Sequence, residues 1–217
     1  MSAHDMERPA IGRIRVLVAD DHPVVRAGLS AVVAEQSDLE LVAEAENGAR
    51  AVALFRQHRP DVTLMDLRMP VVDGVEAIRA ITTEFPDARI LALTTYEGDA
   101  DIRRVLEAGA SGYLLKDMLL TEVLTAVRAV NRGERVIPAA VAERLAEFPE
   151  RSDLTDREAE VLQLVARGLS NKEAARAIGR TDETVKIHLK NAFAKLGVAD
   201  RTEAVTVALT RGLIHLD

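Results

Sequence analysis

Three aspartates define the chemistry that this chain is equipped to do. Asp20 and Asp21 follow the apolar run "IRVLVA" at 14–19, and Asp66 follows "VTLM" at 62–65. A carboxylate at the end of a buried run is costly unless something pairs with it. Carboxylates crowded together also raise each other's pKa unless a cation neutralises them. An all-oxygen donor set of this kind suits Mg²⁺, which keeps several waters and takes one or two carboxylates. Lys116 closes another apolar run, "GYLLK", and supplies a fixed positive charge. Thr94 closes "RILALT" and supplies a hydroxyl. A nucleophilic carboxylate beside Mg²⁺ and a lysine is an arrangement for phosphoryl transfer, where the protein contributes mainly position and charge neutralisation. Each residue alone has an ordinary role. Asp20 or Asp21 is a candidate cap for a helix from Pro23, and a strand-end Thr or Lys is commonly a surface residue. The conjunction of all five at strand ends favours the phosphoryl chemistry.

The elements that must position these residues are legible as a pattern. Short apolar runs occupy 14–19, 39–45, 61–66, 89–94 and 112–116, with helical periodicity between them, as in Val75, Ile78, Ala80 and Ile81. Strands alternating with helices argue for a five-stranded parallel sheet, doubly wound and covered on both faces. Ligands of such sheets bind outside the carboxyl ends of the strands, where these residues converge.

After Gly133 the pattern changes. Residues 133–153 carry two prolines and mixed charge and are read as a linker with a short helix at 139–147. From Leu154 onward only short helices are indicated. "TDRE" from Thr155 and "SNKE" from Ser170 are capping boxes, and Thr181 begins a third helix. A helix, a tight turn and a helix form a helix-turn-helix arrangement. In the third helix Val185, Leu189, Ala192, Phe193 and Leu196 make one apolar stripe to be buried. Lys186, Ile187, Lys190, Asn191 and Ala194 fall off that stripe, as a helix entering the major groove of DNA requires. Lysine can contact guanine or phosphate, and an exposed Ile187 a thymine methyl.

Composition separates the two halves. Residues 1–150 carry a net charge of -8 and residues 151–217 a net charge of +1, with +4 inside 167–201. An acidic first part and a locally basic second part imply different partners. The chain has no cysteine, which excludes disulfides and thiolate metal sites and fits a reducing cytoplasm. No apolar run approaches the roughly 20 residues of a membrane span, and the first dozen residues read as a loose extension without a signal-peptide core.

Two resemblances follow from these motifs. "VADDHPVVRAGL", "LMDLRMPVVDG", "LALTTY" and "GASGYLLKD" resemble the signature segments of the receiver domain of bacterial response regulators, over residues 14–132. The resemblance implies a flavodoxin-like fold, with Asp66 as phosphoacceptor and Asp20, Asp21, Asp66 and the backbone carbonyl of Arg68 around Mg²⁺. It also implies Thr94 and Tyr113 as switch residues and Lys116 as the partner of the phosphoryl group. "LTDRE", "GLSNKEAA", "TVKIHL" and "KLGVADR" are similar to the LuxR-type DNA-binding domain, over 154–214. That similarity implies Lys186, Ile187 and Lys190 near bases, with Asn171, Lys172, Thr184, Lys195 and Arg201 as phosphate contacts. Ala174 departs from the family pattern, which usually has isoleucine there. Together the segments look like a response regulator of the NarL/FixJ type. Such a protein implies a sensor histidine kinase, an operator in double-stranded DNA, a homodimer when active, and RNA polymerase as a further partner. The family analogy places pairing on the first and fifth helices and, on DNA, on the last helix. A phosphatase using the same groups generally needs a second carboxylate two residues past the nucleophile, and Arg68 stands there. Arg68 and Tyr96, each two residues past a strand end, are placed to narrow the approach of water to a phosphoaspartate.

Overall fold

A computed structural model of the protein describes residues 12–95, 98–147 and 154–216. The N-terminal extension over 1–11, Tyr96 and the linker segment 148–153 lie outside the described residues. The chain divides into two units, one made of residues up to 95 with 105–137, the other of 96–104 with 138–217.

In the first unit, β1 (Ile14–Ala19), β2 (Leu39–Ala45), β3 (Val62–Asp66), β4 (Ile90–Thr94) and β5 (Gly112–Leu115) form a parallel sheet in the order β2-β1-β3-β4-β5. β3 and β4 are buried at every residue, as expected for central parallel strands covered on both faces. Val16, Val18, Leu64, Leu91, Leu93 and Leu114 share one core with Leu29 and Val33 of α1 (Pro23–Ala34) and Val123 and Val127 of α5 (Leu120–Asn131). α2 (Gly48–His58) and α3 (Gly74–Glu84) pack on each other. Their starts are set by Asn47, whose side chain accepts from the Arg50 amide at 2.8 Å, and Asp73, which accepts from the Glu76 amide at 2.8 Å. The division of the chain falls inside α4 (Asp99–Glu107).

Two features of this unit depart from the expected outline. Neither Asp20 nor Asp21 caps α1; His22 stands at its N-cap, with Pro23 following and no side-chain cap bond. The first residues of the expected linker also belong to the sheet. The Tyr113 amide donates to the Val136 carbonyl at 2.9 Å and the Val136 amide to the Ser111 carbonyl at 3.2 Å. This segment occupies the open edge of β5, where unpaired amides and carbonyls would otherwise face solvent.

The second unit contains α6 (Ala139–Glu147), α7 (Asp156–Ala166), α8 (Asn171–Ala177), α9 (Asp182–Leu196) and α10 (Arg201–Thr210). Capping decides where these short helices begin. Thr155 and Ser170 each accept from, and are bonded back by, the glutamate three residues on, and Thr181 and Asp200 cap α9 and α10. Gly197, at φ 69°, ends α9 in the left-handed conformation that costs glycine nothing. Val161, Leu162, Val185, Leu189, Ala204 and Ile214 meet in one core. In the same unit the Arg211 guanidinium grips the Asp99 carboxylate through two bonds of 3.0 and 2.9 Å, both groups buried.

Gly74 joins the fold to the functional edge. A Cβ there would lie 2.0 Å from the Asp66 carbonyl oxygen, so the first turn of α3 presses directly on the end of β3. Gly74→Ala must push these two backbones apart. Urea unfolding of the full chain is expected to show a loss of about 1–3 kcal/mol in the transition of the first unit, the usual cost of overpacking, with the second unit unchanged.

Candidate functional site

The strand order explains why distant residues meet. β1 and β3 are neighbours in space but their connections leave in opposite senses, and the crevice outside such a switch point is where open α/β sheets bind ligands. Ala19 pairs with Met65, so Asp20 and Asp66 emerge side by side. Asp66 pairs with Leu93 and Thr94 with Leu115, which brings Thr94 and Lys116 to the same edge.

Asp20 and Asp66 are buried, at 0% and 2% exposure. The Lys116 ammonium bridges them, 2.8 Å from Asp20 Oδ2 and 2.8 Å from Asp66 Oδ2. Asp21 is half-buried at the rim, its Oδ1 2.7 Å from Nδ1 of His22. Burial raises the pKa of Asp66, against the pull of Lys116, and the nearby Asp20 charge adds to the rise. Burial lowers the pKa of Lys116, but the bonds to Asp20 and Asp66 outweigh it and the net shift is upward. The ammonium is therefore held charged. Three carboxylates still outnumber it, and Asp20 Oδ2, Asp21 Oδ1 and Asp66 Oδ2 are buried acceptors with ionic neighbours only. This oxygen cluster fits a divalent cation.

The Arg68 amide donates to Asp66 Oδ1 at 3.3 Å, so its backbone borders the carboxylate. Thr94 is buried at the end of β4. Tyr113 is fully buried on β5, three residues short of Lys116, inside the sheet layers and away from the strand end. Arg26 was not singled out from the sequence. Its guanidinium donates to the Asp20 carbonyl at 2.5 Å and pins the loop between β1 and α1. An arginine one turn into the helix that follows the aspartates was the available signal.

On α9, Val185, Leu189 and Ala192 are buried while Lys186, Ile187 and Lys190 are exposed. Ile187 is 53% exposed, a large apolar side chain with no core to fill. Lys186 pairs with Asp182 and Glu183 of its own helix, at 2.9 and 3.7 Å and exposed, contacts of little net worth that a phosphate can replace. A groove of about 530 Å³ runs beside this face, with Lys186, Lys190, Asn171 and Arg201 above Leu189 and Phe193. Lys172 is exposed, and Thr184 shares a 2.9 Å contact with the Thr181 hydroxyl.

The sequence matches the response regulator receiver domain family over residues 16–128 and the luxR family of bacterial regulatory proteins over 152–208. The chain is a response regulator. It belongs to the two-component regulators that join a receiver domain to a LuxR-type helix-turn-helix domain, and it is a DNA-binding regulator of transcription. It is 41% identical over 207 residues to the response regulator protein VraR of Staphylococcus aureus, spanning 93% of this chain and 99% of that protein. Among solved structures it resembles ChrA, the response regulator of a heme-sensing two-component system, at 40% identity and a TM-score of 0.57, over 94% of this chain and all of that one. It also resembles the response regulator RcsB in its complex with DNA, at 28% identity and a TM-score of 0.65, over 92% of this chain and 99% of that one.

Lys195 is engaged inside its own unit, its ammonium 2.7 Å from the Glu158 carboxylate. Glu158 is buried, and although burial alone would raise its pKa, Lys195 and Thr155 hold it below the usual range. Removing the lysine would strand a buried charge, so Lys195 contributes to the fold of its unit. Arg201 is likewise committed, donating to the Leu169 carbonyl at 2.5 Å.

The raised pKa of Asp66 has a stability consequence. Protonation is favoured in the fold, so the stability that this group contributes is present below the ordinary carboxylate pKa and lost as pH rises through the raised one. Asp66→Asn is therefore expected to melt higher than wild type at neutral pH. The gap should close as the pH falls below the ordinary aspartate range. Thermal melts across pH check this, and a gap that widens in acid contradicts it.

Proposed function

We propose that Asp66 accepts a phosphoryl group from the phosphohistidine of a sensor histidine kinase. The observation that carries this is the buried Asp66 carboxylate, bridged to Asp20 by Lys116 at the β1/β3 switch point. In the step, an Asp66 carboxylate oxygen bonds to phosphorus, the phosphorus–nitrogen bond breaks, and the imidazole leaves with the electron pair. Asp20, Asp21, Asp66 and the Arg68 carbonyl would hold Mg²⁺, which when bound neutralises charge on the transferring phosphoryl oxygens. Lys116 is positioned to turn from Asp66 to a phosphoryl oxygen, and Thr94 to donate its hydroxyl to another. Thr94 and Tyr113 then relay the change. The phosphoaspartate is lost by slow hydrolysis, and the protein does not turn over as an enzyme.

The kinase has a surface to approach. Val24, Val25 and Leu120 are exposed at 85%, 36% and 44%, around a small groove of about 150 Å³ that includes Lys116. Exposed apolar side chains grouped beside a reactive carboxylate suit a helical partner that must bring a histidine to it.

In this reading residues 14–132 are the receiver, 133–153 the linker and 154–214 the DNA-binding domain. Phosphorylation controls dimerisation and so binding to a two-half-site operator in the cytoplasm, with RNA polymerase as a further partner. Lys186, Ile187 and Lys190 face base edges, and Asn171, Lys172 and Thr184 the phosphates.

Two experiments test the two halves of this reading. Wild-type protein with Mg²⁺ and acetyl phosphate should become labelled on Asp66, seen as a mobility shift, and Asp66→Asn should not. Full labelling of the variant overturns the assignment. For DNA, Lys190→Ala is expected to cost on the order of 1–3 kcal/mol on the preferred sequence and to relax preference at one position. Lys172→Ala should weaken all sequences alike and lower the salt slope by about 1. Lys195→Ala should leave the salt slope unchanged while lowering the melting temperature of its unit. Uniform losses from Lys190→Ala on every sequence would rule out base reading.

A further inference from the structure

The imidazole of His22 does not serve the position it occupies. His22 stands at the N-cap of α1, where a Ser, Thr, Asp or Asn side chain normally accepts a helix amide, yet its ring makes no capping bond. The ring turns onto the carboxylates instead. Nδ1 lies 2.7 Å from Asp21 Oδ1 and 3.4 Å from Asp20 Oδ1. The His22 amide donates to Asp20 Oδ1 at 2.9 Å, which fixes the root of the side chain beside the pocket. One ring nitrogen and one oxygen each from Asp20, Asp21 and Asp66 all lie within 4.8 Å of one another, a spread that small side-chain rotations can bring onto a single ion. Independently, Asp20 and Asp66 are almost wholly buried, and their two Oδ2 atoms share one Lys116 ammonium, 2.8 Å from each, which leaves the three carboxylates short of positive charge.

We propose that His22 is a nitrogen ligand of the carboxylate pocket, and that the pocket thereby takes a first-row transition cation of the Co²⁺ or Zn²⁺ type through three carboxylates and one imidazole. This rests on the reading of the pocket as a cation site. Mg²⁺ prefers oxygen, keeps its waters and gains little from an imidazole, whereas Co²⁺ and Zn²⁺ bind imidazole readily. The His22 side chain is 65% exposed, so the ring can swing onto an ion with no change in the backbone. Mg²⁺ leaves it at the rim and a transition ion draws it in. Both ions use the same carboxylates, so they compete.

The test is titration of the full-length protein with Mg²⁺ and, separately, Co²⁺, by calorimetry and by the d–d absorption of bound Co²⁺. Wild type, His22→Ala, His22→Gln and Asp21→Asn are compared. Loss of the imidazole is expected to weaken Co²⁺ about tenfold or more and to change its spectrum, while Mg²⁺ affinity shifts less than about twofold. Adding Mg²⁺ should displace Co²⁺ from wild type. An unchanged Co²⁺ affinity and spectrum in both His22 variants overturns the proposal. So does an equal loss for both ions, which would make His22 a residue that only positions Asp21. Asp21→Asn should weaken both ions; if it affects neither, the cation-site reading itself fails, separately from the role of His22.

Discussion

The charge of Asp66 is buried at the carboxyl edge of a parallel sheet, and a single ammonium shared with Asp20 keeps it there. Much of the first unit serves that arrangement. Lys116 can reach both carboxylates only because β5 continues the sheet past β4, and Asp20 meets Asp66 only because β1 and β3 are neighbours. In a low-dielectric site these contacts are strong, and loss of Lys116 would leave two buried carboxylates uncompensated. The site is therefore poised. Carboxylates outnumber cations, the pKa of Asp66 is pushed up, and an added cation or phosphoryl group changes the balance of charge that the surroundings must accommodate.

The loops around this edge are held by backbone contacts that tolerate little change. Gly74 presses on the Asp66 carbonyl, and the Gly48 amide donates to the Val72 carbonyl at 3.1 Å. Between them Val71 adopts φ 74°, a left-handed conformation that is strained for a β-branched residue. Strain of this kind persists where the surroundings over-determine it, and here it lies five residues past Asp66. In the second unit the distribution of cations follows a different rule. Lys195 and Arg201 are engaged elsewhere in the unit, through Glu158 and the Leu169 carbonyl, whereas Lys186 and Lys190 are exposed lysines of α9 and Lys186 pairs within its own helix. A basic composition alone would not have separated these two groups.

Much of this was legible in the chain. Apolar runs of five to seven residues between helical segments are the signature of a covered parallel sheet, and the strands lie within a residue of the runs. Ser, Thr and Asp before the glutamates of α7, α8 and α10 specify helix starts by a local hydrogen bond that needs no tertiary partner. The stripe of α9 follows from period alone. The convergence of Asp20, Asp66, Thr94 and Lys116 at one edge was also implied, because in a parallel sheet every strand ends on the same side.

What the sequence by itself determined was thus whatever depends on neighbours a few residues away, together with the side of the sheet on which the strand ends fall. Tertiary structure decided which of the charged groups pair. Nothing local in "DDHP" tells that His22 abandons its helix for the carboxylates, or that Arg26 ties down the Asp20 carbonyl. Nothing in "KLGVADR" tells that Lys195 reaches Glu158, 37 residues away. Nor does the run after α5 reveal that Val136 closes the edge of β5. Such contacts arise only once the core has brought distant backbones together, since a charged side chain on a solvated chain has water as an equal partner until burial removes it.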